Sequence, residues 1–374
     1  MPLPAPVSDF VGLTEDTVHL ATGGQPPLLK THREAFEAFQ ADKARGQAGY
    51  EHHWQVGQEV KARLARLTGI PAADHALVGS ASEAIGRVVS SMDWRPGDRV
   101  VVADREYASG RFALLRLAAL GVEPYVVPTD GWEIDLEQVA DSCDERTRLL
   151  YLSQVTSLTG QCFDIGWLSD RLASRGVTLL VDASHATGVI PVDARAADFT
   201  VSSCYKFLCA THMGVLAWNR ERQPDFNPMS IGWASGTDSV DGMDYELHPD
   251  GARAQSGNSN HLDVYLLRRS LDYLLGFGIE AISAHVLPLA ADLHRRMTDL
   301  GLHVVTPASA MASSVVFAHE QDRRLREAAD ADRIYFWDGG GRVRASVHLF
   351  NREADIERCM EWLARHVASD AHSV

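Results

Sequence analysis

Short apolar runs alternate with helical patterns from Ala76 to about Gly214. The runs ALVGS, DRVVVAD, VEPYVV, TRLLYLSQV, VTLLVDAS and DFTVSS are typical of strands, and SEAIGRVVSSM, GRFALLRLAALG and LSDRLASRG have helical spacing. Near-continuous apolar strands separated by helices favour a mainly parallel sheet that helices cover on both faces. The sequence therefore predicts the α/β class.

The chain changes character after Trp233, where a polar, glycine-rich passage precedes the helical run LDVYLLRRSLDYLLGFG. So long a loop is more often functional than idle. From about Ile279, the runs AISAHVLPLAADLHRRMTDLG, LHVVTP, SSVVFAH, VRASVHLF and EADIERCMEWLARHVA alternate between helix and strand. We predict a large domain at 30–275 and a smaller α+β domain formed by 1–29 and 276–374.

Composition narrows the range of partners. The chain has 374 residues, of which 45% are hydrophobic, and a formal net charge of −15. Binding to nucleic acid or an anionic membrane needs clustered Lys and Arg, so we expect neither partner and favour a small metabolite. No apolar run reaches the roughly 20 residues of a membrane span, and the N-terminus lacks a signal-peptide pattern.

The five cysteines form no CxxC pair and no His/Cys group with zinc-ligand spacing. A disulfide framework or a structural metal is therefore not expected. Free thiols suit a reducing compartment, so we expect a cytoplasmic protein without a metal.

Two polar residues follow apolar strands, where open α/β sheets bind ligands. Asp182 ends the run VTLLVD, and Lys206 follows it by 24 positions in SSCYKFL. A lysine can hold an aldehyde as a Schiff base, and a buried carboxylate can keep a pyridine nitrogen protonated. Asp182 taken alone is equally consistent with a helix cap. Together the pair predicts pyridoxal 5'-phosphate as the cofactor.

A turn in LVGSASEAIGRVV suits the cofactor phosphate. Gly79, Ser80, Ala81 and Ser82 lie between a predicted strand and a predicted helix. Backbone N–H groups and a hydroxyl at a helix N-terminus form an anion site, although serine is also an ordinary N-cap.

Four more side chains are candidates, each with a plainer alternative. His185 lies three residues after Asp182, but an isolated histidine is more often structural. Tyr107 follows the run DRVVVAD, where its ring either stacks on a planar cofactor or closes the edge of the core. Arg344 either binds a substrate carboxylate or is solvent-exposed. His53, in GYEHHWQVG, lies either in the substrate pocket or in a surface cluster.

The run from LSQVTSLTG to SSCYKFL resembles the fold-type I pyridoxal phosphate enzymes of the class V aminotransferase group. This group includes kynureninases, cysteine desulfurases, selenocysteine lyases and isopenicillin N epimerase-like proteins. The resemblance covers about residues 18–360, and the spacing of Asp, His and Lys is its specific part. It implies an amino-acid substrate and a homodimer with shared active sites.

The resemblance makes Lys206 the Schiff-base lysine, Asp182 the partner of the pyridine nitrogen and Arg344 the carboxylate-binding arginine. The candidate cofactor contacts are Ala81, Ser82, Tyr107, Thr156, Asp182, His185, Ser203, Tyr205, Lys206, Trp233 and Asn258. Trp233 and Asn258 resemble the part of the family that reaches a partner subunit's cofactor phosphate. The candidate substrate contacts are Arg344, Thr22, Gly23 and His53.

Departures from the family decide between activities. The segment DADRIYFWDGGGRV lacks the persulfide-forming cysteine of desulfurases, which disfavours desulfuration. CYKFL and DASH are similar to kynureninases, whereas SASEAI and EYAS are similar to the epimerase and C–S lyase branch. We expect a lyase that cleaves a β-substituent, as in the C–S bond of a cysteine conjugate. The alternatives are an aminotransferase, an epimerase, a kynureninase-type hydrolase and an inactive ligand-binding module.

Overall fold

The computed structural model describes residues 1–239 and 242–367, in which strands and helices alternate through most of the chain. The strands are β1 (Val18–His19), β2 (His75–Val78), β3 (Arg99–Ala103), β4 (Glu123–Val127), β5 (Thr147–Ser153), β6 (Thr178–Asp182), β7 (Phe199–Ser203), β8 (Gly214–Trp218), β9 (Gly236–Asp238), β10 (Tyr245–Leu247), β11 (Ser314–Ala318), β12 (Ile334–Tyr335), β13 (Trp337–Asp338) and β14 (Arg342–Ser346). The helices are α1 (His32–Lys43), α2 (Gln47–Thr68), α3 (Ala81–Ser90), α4 (Ala108–Leu115), α5 (Leu136–Asp141), α6 (Ile165–Leu172), α7 (His261–Phe277), α8 (Ile279–Asp299), α9 (Asp322–Ala331) and α10 (Glu353–Val367).

Seven strands form one sheet in the order β2-β8-β7-β6-β5-β3-β4. Strands β3 to β7 pair in parallel, and β8 runs antiparallel to both of its neighbours. The prediction of an α/β fold with a mainly parallel sheet is confirmed. Strand β8 was not predicted.

Helices cover both faces of this sheet because every second residue of a strand points to the same face. On β3, Val100 and Val102 belong to the apolar cluster that holds Val88 of α3. Val101 between them belongs to the opposite cluster, which holds Leu168 of α6. Burial on both faces explains why these strands are apolar throughout.

The C-terminal part adds a three-stranded antiparallel sheet in the order β11-β14-β13. Strand β1 pairs in parallel with β12, so the N-terminal segment contacts this part of the chain. The predicted strand LHVVTP forms only an isolated bridge between Val304 and Phe317, and Pro307 has no N–H to continue the pairing. Helix α9 was not predicted. The division into domains at 30–275 and at 1–29 with 276–374 stays a prediction.

No single helix in residues 1–239 and 242–367 has both the length and the apolar composition of a membrane span. Helices α7 and α8 pass that test only as a pair, with a bend of 77° between them.

Candidate active site

Strands β6 and β7 bring Asp182 and Lys206 to one edge of the sheet. Asp182 is the last residue of β6 and pairs with Val201 of the parallel neighbour β7, which ends at Ser203. Lys206 lies in the turn that follows. Both side chains are buried, with 7% of Asp182 and 8% of Lys206 exposed. Parallel strands end at the same edge, which is why residues 24 positions apart meet.

The environment of Lys206 favours a reactive amine. Its Nζ lies 5.6 Å from the ring centre of Tyr107 and 5.8 Å from that of Tyr205. Burial lowers the pKa of Lys206 to about 8; the charge of Asp182 opposes this shift and that of Arg344 adds to it.

Burial alone does not single out Lys206 among the four lysines of the chain. Lys30 and Lys43 are exposed, but Lys61 is also buried, and its pKa is lowered to about 8 by desolvation. Lys61 lines a separate cavity beside His53, away from the edge at Asp182. Lys206 is therefore distinguished from Lys61 by its neighbours Tyr107, Tyr205 and Asp182.

The Asp182 carboxylate is held by two donors. The Ser184 N–H donates to Oδ1 at 2.8 Å, and the Tyr151 hydroxyl donates to Oδ2 at 3.2 Å. Tyr151 is fully buried on β5, and its ring occupies the space where a Cβ at Gly110 would fall, 2.2 Å from Cε1. Asp182 thus has a fixed orientation.

Glu106 is a second buried carboxylate that the sequence analysis missed. It accepts bonds from the Ser153 N–H at 2.7 Å and the Ser153 hydroxyl at 2.6 Å. Burial, together with the charge of Asp182, raises the pKa of Glu106 to about 7. The available signal was its position directly before Tyr107, just beyond a strand. Tyr151 gave no such signal, because its partner Asp182 lies on another strand.

Arg344 lies on β14 with its guanidinium in the same cleft as Lys206. Its Nη1 donates to the Ser157 carbonyl at 2.7 Å, and its Cζ lies 6.0 Å from the ring centre of Trp337. Burial lowers the pKa of Arg344 to about 10, so the side chain remains charged at neutral pH. No carboxylate of the described residues lies within salt-bridge distance of it.

Six of the predicted residues line this one cleft: Gly23, Tyr107, His185, Tyr205, Lys206 and Arg344. Gly23 has no room for a side chain, since a Cβ there would lie 2.6 Å from Ser346 Oγ and 3.1 Å from His185 Cε1. The pKa of His185 is lowered well below its usual value by burial, and further by Lys206 and Arg344, so its ring is neutral.

The predicted phosphate turn begins helix α3. The Ser80 hydroxyl caps the helix by accepting from the Glu83 N–H at 3.0 Å. Ala81 is buried, and the exposed Ser82 hydroxyl lies 2.7 Å from that of Ser109 at the start of α4. Two helix N-termini therefore lie side by side next to Tyr107, the residue before α4.

Strand β8 supports this turn at Gly214. A Cβ at Gly214 would lie 2.2 Å from the Ser80 carbonyl carbon. We expect Gly214→Ala to reduce the free energy of unfolding by about 1 to 3 kcal/mol, because the turn must move. It should also weaken cofactor affinity, and urea unfolding and cofactor titration check the two effects. The control Gly57→Ala, in open space on α2, should be neutral or stabilising. A Gly214→Ala variant as stable as the wild-type protein would contradict a supporting role of Gly214 under the turn.

Besides Thr22, Ala81, Ser82 and Asp182, five other predicted residues do not line the cleft. The Thr156 hydroxyl is used within its own turn, 2.5 Å from that of Thr159, and Ser157 faces the cleft instead. Ser203 donates its N–H to Ser184 Oγ. The remaining three contact residues outside the cleft. Trp233 packs edge-on against Trp54, and Asn258 accepts a hydrogen bond from the Tyr50 hydroxyl. His53 stacks on His261 and forms a hydrogen bond with Tyr265.

Unpaired buried atoms test whether a polar cofactor fits here. Thr22 Oγ1, His185 Nδ1 and Arg344 Nε are buried and have no hydrogen-bond partner within the part of the chain that the structure describes. Buried polar atoms normally have a hydrogen-bond partner, which a bound ligand can supply. A ligand with several polar groups, bound beside Lys206 and Asp182, accounts for them, so these residues fit pyridoxal phosphate and its substrate.

Comparison with known families and sequences gives consistent matches. Residues 21–359 match the family model described as aminotransferase class V. The chain is 26% identical over 363 residues to a Methanothermobacter thermautotrophicus protein named "Probable cysteine desulfurase", covering 90% of each chain. It is 26% identical to the isopenicillin N epimerase of Streptomyces clavuligerus, covering 94% of this chain and 95% of that one.

Solved structures share the fold. A variant of C-DES with glycine covalently linked to its pyridoxal phosphate cofactor superposes with a TM-score of 0.89. The two sequences are 20% identical, and the match covers 96% of this chain and 99% of the other. A complex of the cystine C–S lyase C-DES with its product, cysteine persulfide, gives a TM-score of 0.88.

Proposed function

The chain belongs to the class V aminotransferase family, and on that premise we propose that it is a lyase that cleaves the C–S bond of a cysteine conjugate. It is a pyridoxal phosphate-dependent enzyme of fold type I. The observation that carries the proposal is the cleft lined by both Lys206 and Arg344, with Asp182 close enough to Lys206 to affect its pKa.

The residues present suggest how the cofactor is held. Lys206 would bind its aldehyde, Asp182 its pyridine nitrogen, and the turn at Ala81 and Ser82 its phosphate. Tyr107 would stack on the ring. Tyr151 supports this arrangement, because it fixes the carboxylate that would face the nitrogen.

When bound, pyridoxal phosphate supplies an electron sink for the electron pair released at the substrate α-carbon. Arg344 binds the substrate carboxylate, and its bond to the Ser157 carbonyl sets the direction of the guanidinium. Lys206 Nζ takes the proton from the α-carbon; its lowered pKa of about 8 makes the neutral amine far more abundant at neutral pH than that of an ordinary lysine. His185 is neutral, so it adds no positive charge that would compete with the protonated pyridine nitrogen for Asp182.

The cysteines favour direct elimination over persulfide transfer to the protein. All five are unpaired, and none lines the cleft. Burial raises the pKa of Cys143 to about 12 and that of Cys162 to about 11, which keeps both thiols protonated. Sulfur would therefore leave with its own substituent.

Product analysis tests the proposal. The purified holoenzyme, given cysteine conjugates without a keto acid, should release pyruvate, ammonia and thiol over many turnovers. An aminotransferase would instead stop after one turnover until a keto acid is added. Release that requires a keto acid would overturn the lyase assignment.

Epimerisation is the second candidate, because isopenicillin N epimerases are among the relatives at 26% identity. It would change the optical rotation of the amino acid while releasing neither pyruvate nor ammonia. The same assay followed by chiral chromatography separates the two.

A homodimer in the cytoplasm completes the proposal. Large apolar side chains are exposed between residues 229 and 245, including Met229 at 74%, Trp233 at 62% and Tyr245 at 57%. Contiguous exposed apolar groups are typical of interaction sites. A second copy of the chain would cover them and bring Trp233 and Asn258 toward the partner's cofactor phosphate. The unpaired thiols suit a reducing compartment.

The lowered pKa of Lys206 gives a pH prediction. Only the neutral amine attacks an aldehyde, and its fraction rises with pH through the pKa of about 8. We expect attachment of the cofactor to the apoprotein to reach half its maximal rate near pH 8 and to fall about tenfold per pH unit below pH 7. Stopped-flow absorbance measures this rate. A rate that keeps rising to about pH 10, as for an ordinary lysine, would contradict the described environment.

A further inference from the structure

A second arginine shares the substrate cleft with Arg344. Arg342 lies two residues earlier on β14, and Val343 between them is buried in the apolar core. Alternate residues of a strand point to the same face, about 6 to 7 Å apart. Arg342 and Arg344 accordingly line the same cleft as Lys206.

Neutral groups hold the Arg342 guanidinium in place. Its Nη1 donates to the Leu158 carbonyl at 2.7 Å and its Nη2 to the Gly339 carbonyl at 3.0 Å. Its Cζ lies 5.7 Å from the ring centre of Trp132. The neighbouring Gly340 has a φ of 64°, and a Cβ there would lie 3.2 Å from Nη2. Carbonyls and a ring orient the cation without neutralising it.

The Arg342 guanidinium forms no salt bridge with a carboxylate of the described residues. Within residues 1–239 and 242–367, no carboxylate oxygen lies within 4 Å of its side-chain nitrogens, and its buried Nε has no partner. Asp338, which also lines the cleft, is used by Arg326 at 3.3 Å. Asp322 accepts the backbone N–H groups of Gly341 and Arg342 instead.

A second cation, Arg105, adds to the positive charge near Arg342. The Arg105 Cζ lies 4.9 Å from the centre of the same Trp132 ring, and the Arg105 Nε makes only a long ion pair, 3.9 Å from Asp104 Oδ1. Burial, and then the charge of Arg105, lower the pKa of Arg342, and the charge of Asp322 only partly opposes this shift. A fixed cation of this kind is stabilised by an anion that binds beside it.

We infer that the amino-acid substrate carries a second anionic group on its side chain, which Arg342 binds while Arg344 holds the α-carboxylate. This inference rests on the proposed function for the role of Arg344. It specifies a substrate class: amino acids with a side-chain carboxylate, sulfinate or sulfonate. For a C–S lyase, the substrate is a cysteine conjugate whose sulfur bears an acidic substituent.

S-Carboxymethyl-L-cysteine represents this class. Elimination breaks its Cβ–S bond, and the electron pair leaves with sulfur, which takes up a proton. One water is consumed, and the products are mercaptoacetate, pyruvate and ammonium. No oxidant or reductant is needed. S-Carbamoylmethyl-L-cysteine is a matched neutral substrate with the same shape, because an amide replaces the acid.

The two substrates are compared on the holoenzyme. We expect kcat/KM to be about 10- to 100-fold higher for the acid than for the amide, as one charge-assisted hydrogen bond allows. Arg342→Gln should reduce the acid's kcat/KM by about 10- to 100-fold and so remove the preference for the acid over the amide. The control Arg33→Gln removes one charge from an arginine whose side chain is 86% exposed on α1, and should leave the preference intact.

Binding, read from the change in cofactor absorbance on mixing, separates this inference from the proposed reaction. Tighter binding of the acid without pyruvate release would support the second anion site and overturn the lyase. Equal affinity for acid and amide in the wild-type holoenzyme would overturn the second anion site, whatever the reaction. Weakened cofactor affinity in Arg342→Gln would also overturn it, because Arg342 would then serve the cofactor.

Discussion

Replacing Lys206 by alanine should lower the turnover of the holoenzyme by at least about 1,000-fold, because the variant loses both the covalent anchor and the base at the α-carbon. The cofactor should still bind, since the proposed contacts at α3 and Asp182 remain. The measurements are turnover and the absorbance of the bound cofactor, which should become that of the free aldehyde.

Lys61→Met is the matched control for Lys206→Ala. Lys61 is also a buried lysine with a lowered pKa, but it lies in another cavity. Its replacement should retain covalently bound cofactor and activity within about threefold. A Lys206→Ala variant with near wild-type turnover would remove the lysine from the mechanism.

Replacing Asp182 by asparagine should reduce kcat/KM by about 100- to 10,000-fold. An amide has nearly the same shape: its oxygen can accept from the Ser184 N–H, and its NH2 group can donate to the Tyr151 hydroxyl. It has no charge to keep the pyridine nitrogen protonated. The absorbance of the bound cofactor and steady-state kinetics check this.

Asp193→Asn is the control for Asp182→Asn, because Asp193 is half exposed and pairs with Arg195 in its own loop. It should leave activity unchanged. Wild-type activity in Asp182→Asn would mean that the carboxylate has only a structural role, as a cap of the turn at Ser184.

The parallel sheet, and the two functional residues at its edge, Asp182 and Lys206, were predictable because their sequence signals are local. Most of these strands were near-continuous apolar runs; Asp182 ends one strand, and Lys206 lies three residues after Ser203, the end of the next strand. The parallel pairing of β6 with β7 then brings them to one edge. Strand β8 was harder to predict, since its antiparallel position depends on pairing with both β2 and β7.

The residues that sequence reasoning missed depend on contacts between elements. Tyr151 reaches Asp182 from the next strand, and Glu106 meets Ser153 across the sheet, so neither pairing follows from sequence spacing. Arg342 was not singled out from the sequence, because the lack of a salt bridge to its guanidinium is a property of the folded cleft. The role of His53 was also ambiguous from the sequence, because its stacking on His261 depends on the packing of α2 against α7.

The most direct test of the account locates the cofactor on the chain. The holoenzyme is reduced with borohydride and digested, and the peptides are analysed by mass spectrometry. With only four lysines, Lys30, Lys43, Lys61 and Lys206, the assignment is unambiguous. The account predicts one reduced pyridoxal phosphate per chain, on the peptide that contains Lys206. Attachment to another lysine, or no stable attachment, would contradict it.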